Sequence, residues 1–217
     1  MTAVLPPFEP ISGRFIRIEP LTRAHLPELY EALAHPEVFA GGFGGGPAGF
    51  RADREGFLAW AEHGYRFDTE LAQPYGIRLV GGEHDGLLVG SSTLADFDLP
   101  LESTHIGWTA YDPKVWGTQV NVEAKLLMLG LLFDQGYGRV KLQADSLNAR
   151  SRAAIEKIGA SFEGITRRDQ RRADGSWRDA AIFSVLAEEW PEVRAGLERR
   201  LEDWGERPVL YRSVPSA

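Results

Sequence analysis

The sequence predicts an α+β fold: a central mixed, mostly antiparallel sheet of about seven strands, flanked by helices. Two observations carry this. Period-two alternation marks 14–19, 105–111 and 138–145, and 75–80, 87–97, 162–168 and 177–186 also read as strands. The early strands follow one another through a turn, whereas the later ones are separated by helical stripes. Consecutive strands pair antiparallel and strand–helix–strand units pair parallel, so the sheet is mixed and its faces are covered by helices.

In order, the segment from Met1 to Pro10 holds three prolines and reads as an extended, weakly ordered leader spanning residues 1–13. Arg14 to Glu19 is the first strand. Thr22 is placed to cap the next helix, whose stripe is Leu26, Leu29, Tyr30 and Leu33; His35-Pro36 ends it. Residues 40–49 contain six glycines, too many for a stable helix or strand. This segment is either a mobile loop over a binding site or a flexible surface loop. Arg51 to His63 is a helix with Phe57, Trp60 and Ala61 on one face. The turn from Gly81 to Gly86 joins two strands as a hairpin, and His84 within it reads as solvated.

The central stretch is a strand, a loop and a helix. Ile106, Trp108 and Ala110 alternate and are expected on one face. Asp112-Pro113 ends the strand. Val120, Ala124, Leu127 and Leu131, widened by Leu126 and Phe133, make the helical stripe, and Gly136 closes it. A loop that delivers free first-turn amides to a helix start is suited to an anion, and Lys114 adds a charge beside it. The same pattern also fits an ordinary strand-to-helix connection. No Gly-Lys-Ser/Thr follows Gly117, so it is not a Walker A loop. A short helix follows the next strand, from Asn148 to Gly159. Two further strands meet near 173–176. Pro191 suits the first turn of a last helix with Val193, Leu197 and Leu201 inward. Residues 14–206 read as one domain and 207–217 as a tail.

At 217 residues, with 43% apolar and 25% charged residues, the chain has the composition of an ordinary globular protein. It has no cysteine, which excludes disulfides, thiolate metal sites and a cysteine nucleophile. No apolar run approaches the ~18 residues of a membrane span, and no secretory signal is visible, so a cytoplasmic location is expected. A net charge of −7 argues against nucleic-acid binding, and mildly favours a cationic substrate through steering.

Three pieces in sequence carry a resemblance. They are the strand followed by Trp116-Gly117-Thr118-Gln119-Val120-Asn121-Val122-Glu123-Ala124-Lys125, then Asn148-x-x-Ser151 leading to Glu156-Lys157-Ile158-Gly159-Ala160, then the closing Asp174-Gly175-Ser176-Trp177-Arg178-Asp179. Together, over residues 14–190, they resemble the GNAT superfamily of N-acyltransferases, and most of all the branch of ribosomal-protein N-terminal alanine acetyltransferases. The resemblance implies a sheet whose fourth and fifth strands splay apart to admit the cofactor. It implies acetyl transfer from acetyl-coenzyme A to a primary amine, a protein N-terminus or a small molecule, by direct attack in a ternary complex without metal.

The resemblance also implies roles. The amides of Trp116, Gly117, Thr118, Gln119 and Val120 face the pyrophosphate, with Asn121 as a further donor and Lys114 nearby. Gln119 departs from the small residue usual at its position. The edge Thr109, Ala110, Tyr111 is placed to pair with the peptide-like pantetheine arm, which Asn148 also matches. Many relatives protonate the leaving thiolate with a tyrosine where this chain has Ile155; Ser151 occupies the alternative hydroxyl position. His105 stands where relatives often carry glutamate, either as the base or as a strand histidine that only packs. Glu123 reads as a structural partner, and Asp169, Arg171, Arg172 and Asp174 as a solvated stretch. A non-catalytic domain that binds or senses an acyl-coenzyme A shares the same motifs and stays open. So do the acceptor and a homodimer built on the last helix and tail.

Overall fold

The structure, a computed structural model, describes residues 2–67 and 70–213. Met1 of the expected leader and residues 214–217 of the expected tail lie outside the described residues. The strands are β1 (Ile11–Ser12), β2 (Ile16–Pro20), β3 (Ala72–Leu79), β4 (Leu88–Asp98), β5 (Ser103–Tyr111), β6 (Arg139–Asp145), β7 (Ser161–Arg171) and β8 (Trp177–Leu186). They form one sheet in the order β1-β2-β3-β4-β5-β6-β8-β7. Only β5 and β6 pair parallel. All seven expected strands are present; the eighth, β1, has two residues, too few to show an alternation.

Six α-helices cover the faces among the described residues: α1 (Leu26–Leu33), α2 (Pro36–Ala40), α3 (Arg54–Gly64), α4 (Gln119–Asp134), α5 (Ala149–Glu156) and α6 (Trp190–Glu202). Two cores result. One holds Ile16, Ile77, Ile106, Met128, Leu132 and Phe183 under α4 and α6. The other holds Leu29, Leu33, Phe39, Phe57 and Ala110 under α1 to α3.

Two departures from a regular sheet shape the middle of the molecule. The β5–β6 ladder runs from Ser103↔Arg139 to Ile106↔Leu142 and stops there. Beyond it the two strands part, which is the expected splay. On the other edge of β5, Gly107 faces Thr93 while Ala110 faces Ser91, so β5 holds one residue more than β4. That is a β-bulge. Trp108 sits in it at φ 45°. The bulge corrects the expected common face for Ile106, Trp108 and Ala110. Ile106 joins the core under α4 and Ala110 the opposite core, and Trp108 is 39% exposed.

The inward stripe of α4 also differs from the expectation. Val120 and Ala124 are buried, but the deepest later positions are Met128, Leu129 and Leu132, not Leu127 and Leu131. The helix packs between the sheet and α6, so most of its circumference is covered and its pattern does not single out one face. Glu123, in its second turn, is buried and accepts three backbone N–H groups, from Arg14 at 2.7 Å and from Phe15 and Ile16 at 2.8 Å. It is the structural partner expected of it, and it ties the start of α4 to β2.

The leader is extended but packed. Ala3 is buried, the Val4 amide bonds the Gln135 carbonyl at 3.1 Å, and Gln73 and Tyr75 donate to the carbonyls of Pro6 and Pro7. The tail is packed as well, with Val209 buried and the Tyr211 hydroxyl donating to Asp112 at 2.8 Å. No helix among the described residues is long and apolar enough to cross a membrane.

Candidate active site

The parting of β5 from β6 opens a cleft of about 850 Å³. Its walls are β5 from His105 to Tyr111, the loop from Val115 to Thr118, the first turns of α4, the end of β6 and much of α5. The glycine segment and Arg178 line it too, as do Lys157, Arg200 and Trp204.

At the α4 end, Thr118 is the N-cap and its hydroxyl accepts from the Val120 amide at 3.4 Å. Gly117 has φ 73°, a conformation glycine takes without strain, and the space a Cβ would fill is open. The helix start and that open space suit a phosphate at close approach. Arg150, from the first turn of α5, lies 3.5 Å above the Trp116 ring and brings a guanidinium to the same corner.

Most of the residues expected at the cofactor meet here: Thr109, Ala110, Tyr111, Trp116, Gly117, Thr118, Asn121, Asn148 and Ser151 all line the cleft. Three do not: Lys114, Gln119 and Val120. Lys114 turns to the Tyr211 hydroxyl at 3.3 Å. Gln119 is buried away from the cleft, its amide donating to the Arg207 carbonyl at 3.2 Å. Its bulk therefore leaves the loop's open face clear. Val120 belongs to the core.

Asn148 caps α5, its Oδ1 accepting from the Ser151 amide at 3.0 Å, and its Nδ2 donates to the Gly41 carbonyl at 2.6 Å. Each end of the amide keeps one valence free for a ligand. The glycine segment is held on its other side too, by the bond from the Ala173 amide to the Gly45 carbonyl at 2.9 Å. It folds as two single turns at Phe43–Gly45 and Pro47–Gly49. Of the stretch expected to be solvated, Arg171 and Asp174 are exposed and Asp169 and Arg172 half-buried. β7 runs on to Arg171, and Arg172 pairs with buried Asp145 at 2.5 Å.

His105 is 3% exposed and lines the cleft. Its ring lies over Gly107, where a Cβ would come within 2.6 Å of His105 Cε1. Neither ring nitrogen has a hydrogen-bond partner among the described residues; Asp96 Oδ2 is 3.4 Å from Nδ1 without hydrogen-bond alignment. Burial pushes the imidazole below its ordinary pKa; Asp96 opposes this, and the charges of Lys141 and Lys125 add to it. The ring is therefore neutral at pH 7 and free to accept a proton.

The sequence reading passed over Arg150, Arg178 and Lys125. All three fall inside the resemblance motifs, Arg150 and Arg178 as cations with no role assigned to them. Nothing marked Lys125 as buried, since a lysine in a helix normally faces water.

Residues 16–161 match the family model for the acetyltransferase (GNAT) domain. The chain belongs to the GNAT acetyltransferase family. It is an acyltransferase, and enzymes of this family take their acetyl group from acetyl-coenzyme A. A candidate acetyltransferase from T. thermophilus is 34% identical, with a TM-score of 0.76 over 89% of this chain and 97% of that one. A GCN5-related N-acetyltransferase from Brucella melitensis is 27% identical, with a TM-score of 0.79 over 91% and 87%. The ribosomal-protein-S5-alanine acetyltransferase from Vibrio fischeri shares the fold at 15% identity, TM-score 0.61, over 83% and 98%. No curated protein matches the chain. The non-catalytic alternative is not favoured.

Proposed function

We propose that this protein moves the acetyl group of acetyl-coenzyme A to a primary amine, by direct attack within a ternary complex, and that residues 14–206 are the working unit. One observation carries the reading: a buried histidine with two unpartnered nitrogens opens onto the same cleft as the glycine loop and N-terminal turn of α4.

The cofactor supplies an activated acetyl group. The open face of the loop at Gly117 and the N-terminal turn of α4, with Arg150, hold its phosphates. The unpaired edge of β5 from Thr109 to Tyr111, with Asn148, holds its peptide-like arm as an added strand would be held. The acceptor enters by the glycine segment, so its nitrogen meets the thioester near the bulge. His105, neutral at pH 7, takes the proton that this nitrogen sheds as the N–C bond forms and the C–S bond breaks. An α-amine, with a pKa of about 7.7–8.0, asks less of such a base than a lysine side chain at about 10.4. A protein N-terminus or a small molecule with a weakly basic amine is therefore the favoured acceptor class. The Ser151 hydroxyl has no partner among the described residues and faces the cleft; it hydrogen-bonds the departing sulfur.

The test is a screen of peptides and small amines with acetyl-coenzyme A, read by mass spectrometry of the acceptor. Acetylation on nitrogen is expected. Tight coenzyme A binding with no acetylated product from any amine would replace the transferase reading with a sensor.

A further inference from the structure

We propose that Lys125, acting through the Thr109 hydroxyl, is the proton source for the coenzyme A thiolate as it leaves. The inference rests on the transfer reading above and concerns a step that reading leaves open. A serine hydroxyl with no acid behind it, such as Ser151, can stabilise a thiolate by a hydrogen bond but does not surrender a proton to it. Ile155, at the position where a tyrosine would serve, is apolar.

Lys125 lies in the second turn of α4, is 3% exposed and lines the cleft. A buried lysine ordinarily has a carboxylate beside it. Among the described residues, Nζ bonds only the Ser92 hydroxyl at 3.2 Å and the Thr109 hydroxyl at 3.0 Å. On α4, the carboxylate of Glu123 is spent on three amides. On β5, His105 is the titratable group that feels the lysine's charge. On β4, Ser91 is bound by the Tyr65 hydroxyl. Burial alone brings the lysine's pKa down to about 7, where proton transfer in both directions is feasible at neutral pH.

The hydroxyls give the relay its direction. Ser92 and Thr109 oxygens are 2.7 Å apart. A threonine oxygen has two lone pairs and one proton. The bond between Ser92 and Thr109 can run either way; with Ser92 donating, both Thr109 lone pairs are taken, one by Lys125 and one by Ser92, and the Thr109 proton is free to point elsewhere. Its only other acceptor among the described residues is the Gly107 carbonyl, at 3.5 Å. Thr109 stands on the unpaired edge of β5, one residue past the bulge and between the phosphate loop and His105. An arm paired along that edge brings its sulfur to this hydroxyl. As the C–S bond breaks, sulfur takes the Thr109 proton, Thr109 takes one from the Lys125 ammonium, and Lys125 is left as the neutral amine that burial favours. The proton His105 gained from the acceptor leaves to solvent and Lys125 regains one, so the cycle balances.

The experiment compares wild type, Lys125→Met and Thr109→Val. Methionine fills the same channel without charge, and valine keeps the shape of threonine. The first readout needs no turnover: the thiol of bound coenzyme A, followed by thiolate ultraviolet absorbance across pH. Next to the ammonium it is expected to be about tenfold more acidic, roughly one pH unit, on wild type than on Lys125→Met. The second is kcat, expected to fall roughly 10²-fold in both variants, at the low end of general-acid contributions. The loss should shrink with S-(4-nitrophenyl) thioacetate, whose thiolate leaves unaided. Identical thiol titrations on wild type and Lys125→Met overturn the inference, as does a kcat loss of equal size with both donors, which marks a packing role. If no amine is acetylated while the thiol titration still depends on Lys125, the transfer reading fails and the proximity of Lys125 to sulfur stands.

Discussion

Removing the Glu123 carboxylate tests the link between the fold and the cofactor site. Three amides converge on it, from Arg14, Phe15 and Ile16, all within 2.8 Å. Phe15 and Ile16 are almost wholly buried, so water cannot replace the lost acceptor. Each buried N–H left unpaired costs about 1–3 kcal/mol. The three share one partner and will relax together, so Glu123→Ala should cost about 3–6 kcal/mol, below the plain sum of the upper values. For a domain of this size 1 kcal/mol moves Tm by roughly 2–4 °C, so a drop of about 10–20 °C is expected. Glu123→Gln keeps one oxygen but turns an NH₂ toward a donor, and should fall between alanine and wild type. Because Glu123 sits one turn behind the helix start proposed to receive the pyrophosphate, coenzyme A affinity should weaken in the same order. The assays are urea denaturation with unchanged m and calorimetric titration of coenzyme A. A Glu123→Ala protein as stable as wild type would refute the reasoning.

Gly107→Ala should push the His105 ring off its seat, since the new methyl carbon would meet Cε1 at 2.6 Å; His105→Gln should remove the base outright. In wild type the acid limb of kcat/KM should lie below the ordinary imidazole value of about 6.5, because burial depresses the pKa, and activity falls as pH drops through it; a limb that survives His105→Gln would belong to another group. Gly117→Val places a β-branched residue at φ 73° and crowds the open face of the loop, so coenzyme A binding should weaken, and unchanged affinity would count against the phosphate site. Ser151→Ala should lower kcat more than it raises KM, since a bond to developing thiolate charge strengthens only in the transition state; a wild-type kcat, where chemistry limits turnover, removes it. For Lys125→Met the Tm gain should be largest at or below about pH 7, where the folded protein must bury the charge, and should fade toward about pH 10, where unfolded lysine also loses its proton; a gain that does not vary with pH would mean the ammonium is solvated.

The fold was legible because its strands and helix ends announce themselves locally. Asn148-x-x-Ser151 is the capping bond itself, seen at 3.0 Å, and the Gly81–Gly86 turn closes its hairpin by the bond from the Gly86 amide to the Leu79 carbonyl at 2.9 Å. The bulge in β5 was not legible. Ile106, Trp108 and Ala110 alternate without a break in the sequence, and only pairing with β4 shows that one residue is extra. Gly107 beside it was the available sign, since an isolated glycine in a strand often marks a bulge or a close approach. Lys114 was misplaced and Lys125 passed over for one shared reason. A cation's surroundings are set by residues far along the chain: Tyr211 for the first, Ser92 and Thr109 for the second.

Net charge misleads in the same way, and the cleft shows how. The chain carries −7, which by itself would repel a coenzyme whose phosphates are anionic. Yet Lys125, Arg150, Lys157, Arg178 and Arg200 line the cleft, against Asp145 as the only carboxylate there among the described residues. Asp145 is itself neutralised by Arg172. Low-dielectric walls focus the field of such a lining into the opening, while salt screens the acidic exterior over about 8 Å. The two signs thus act on different ligands. The acidic exterior would favour a cationic acceptor, and the cationic lining favours the anionic donor. Among those cations, Lys125 alone combines near-complete burial with hydrogen bonds to neutral hydroxyls only, and it is the one that lies behind the bulge.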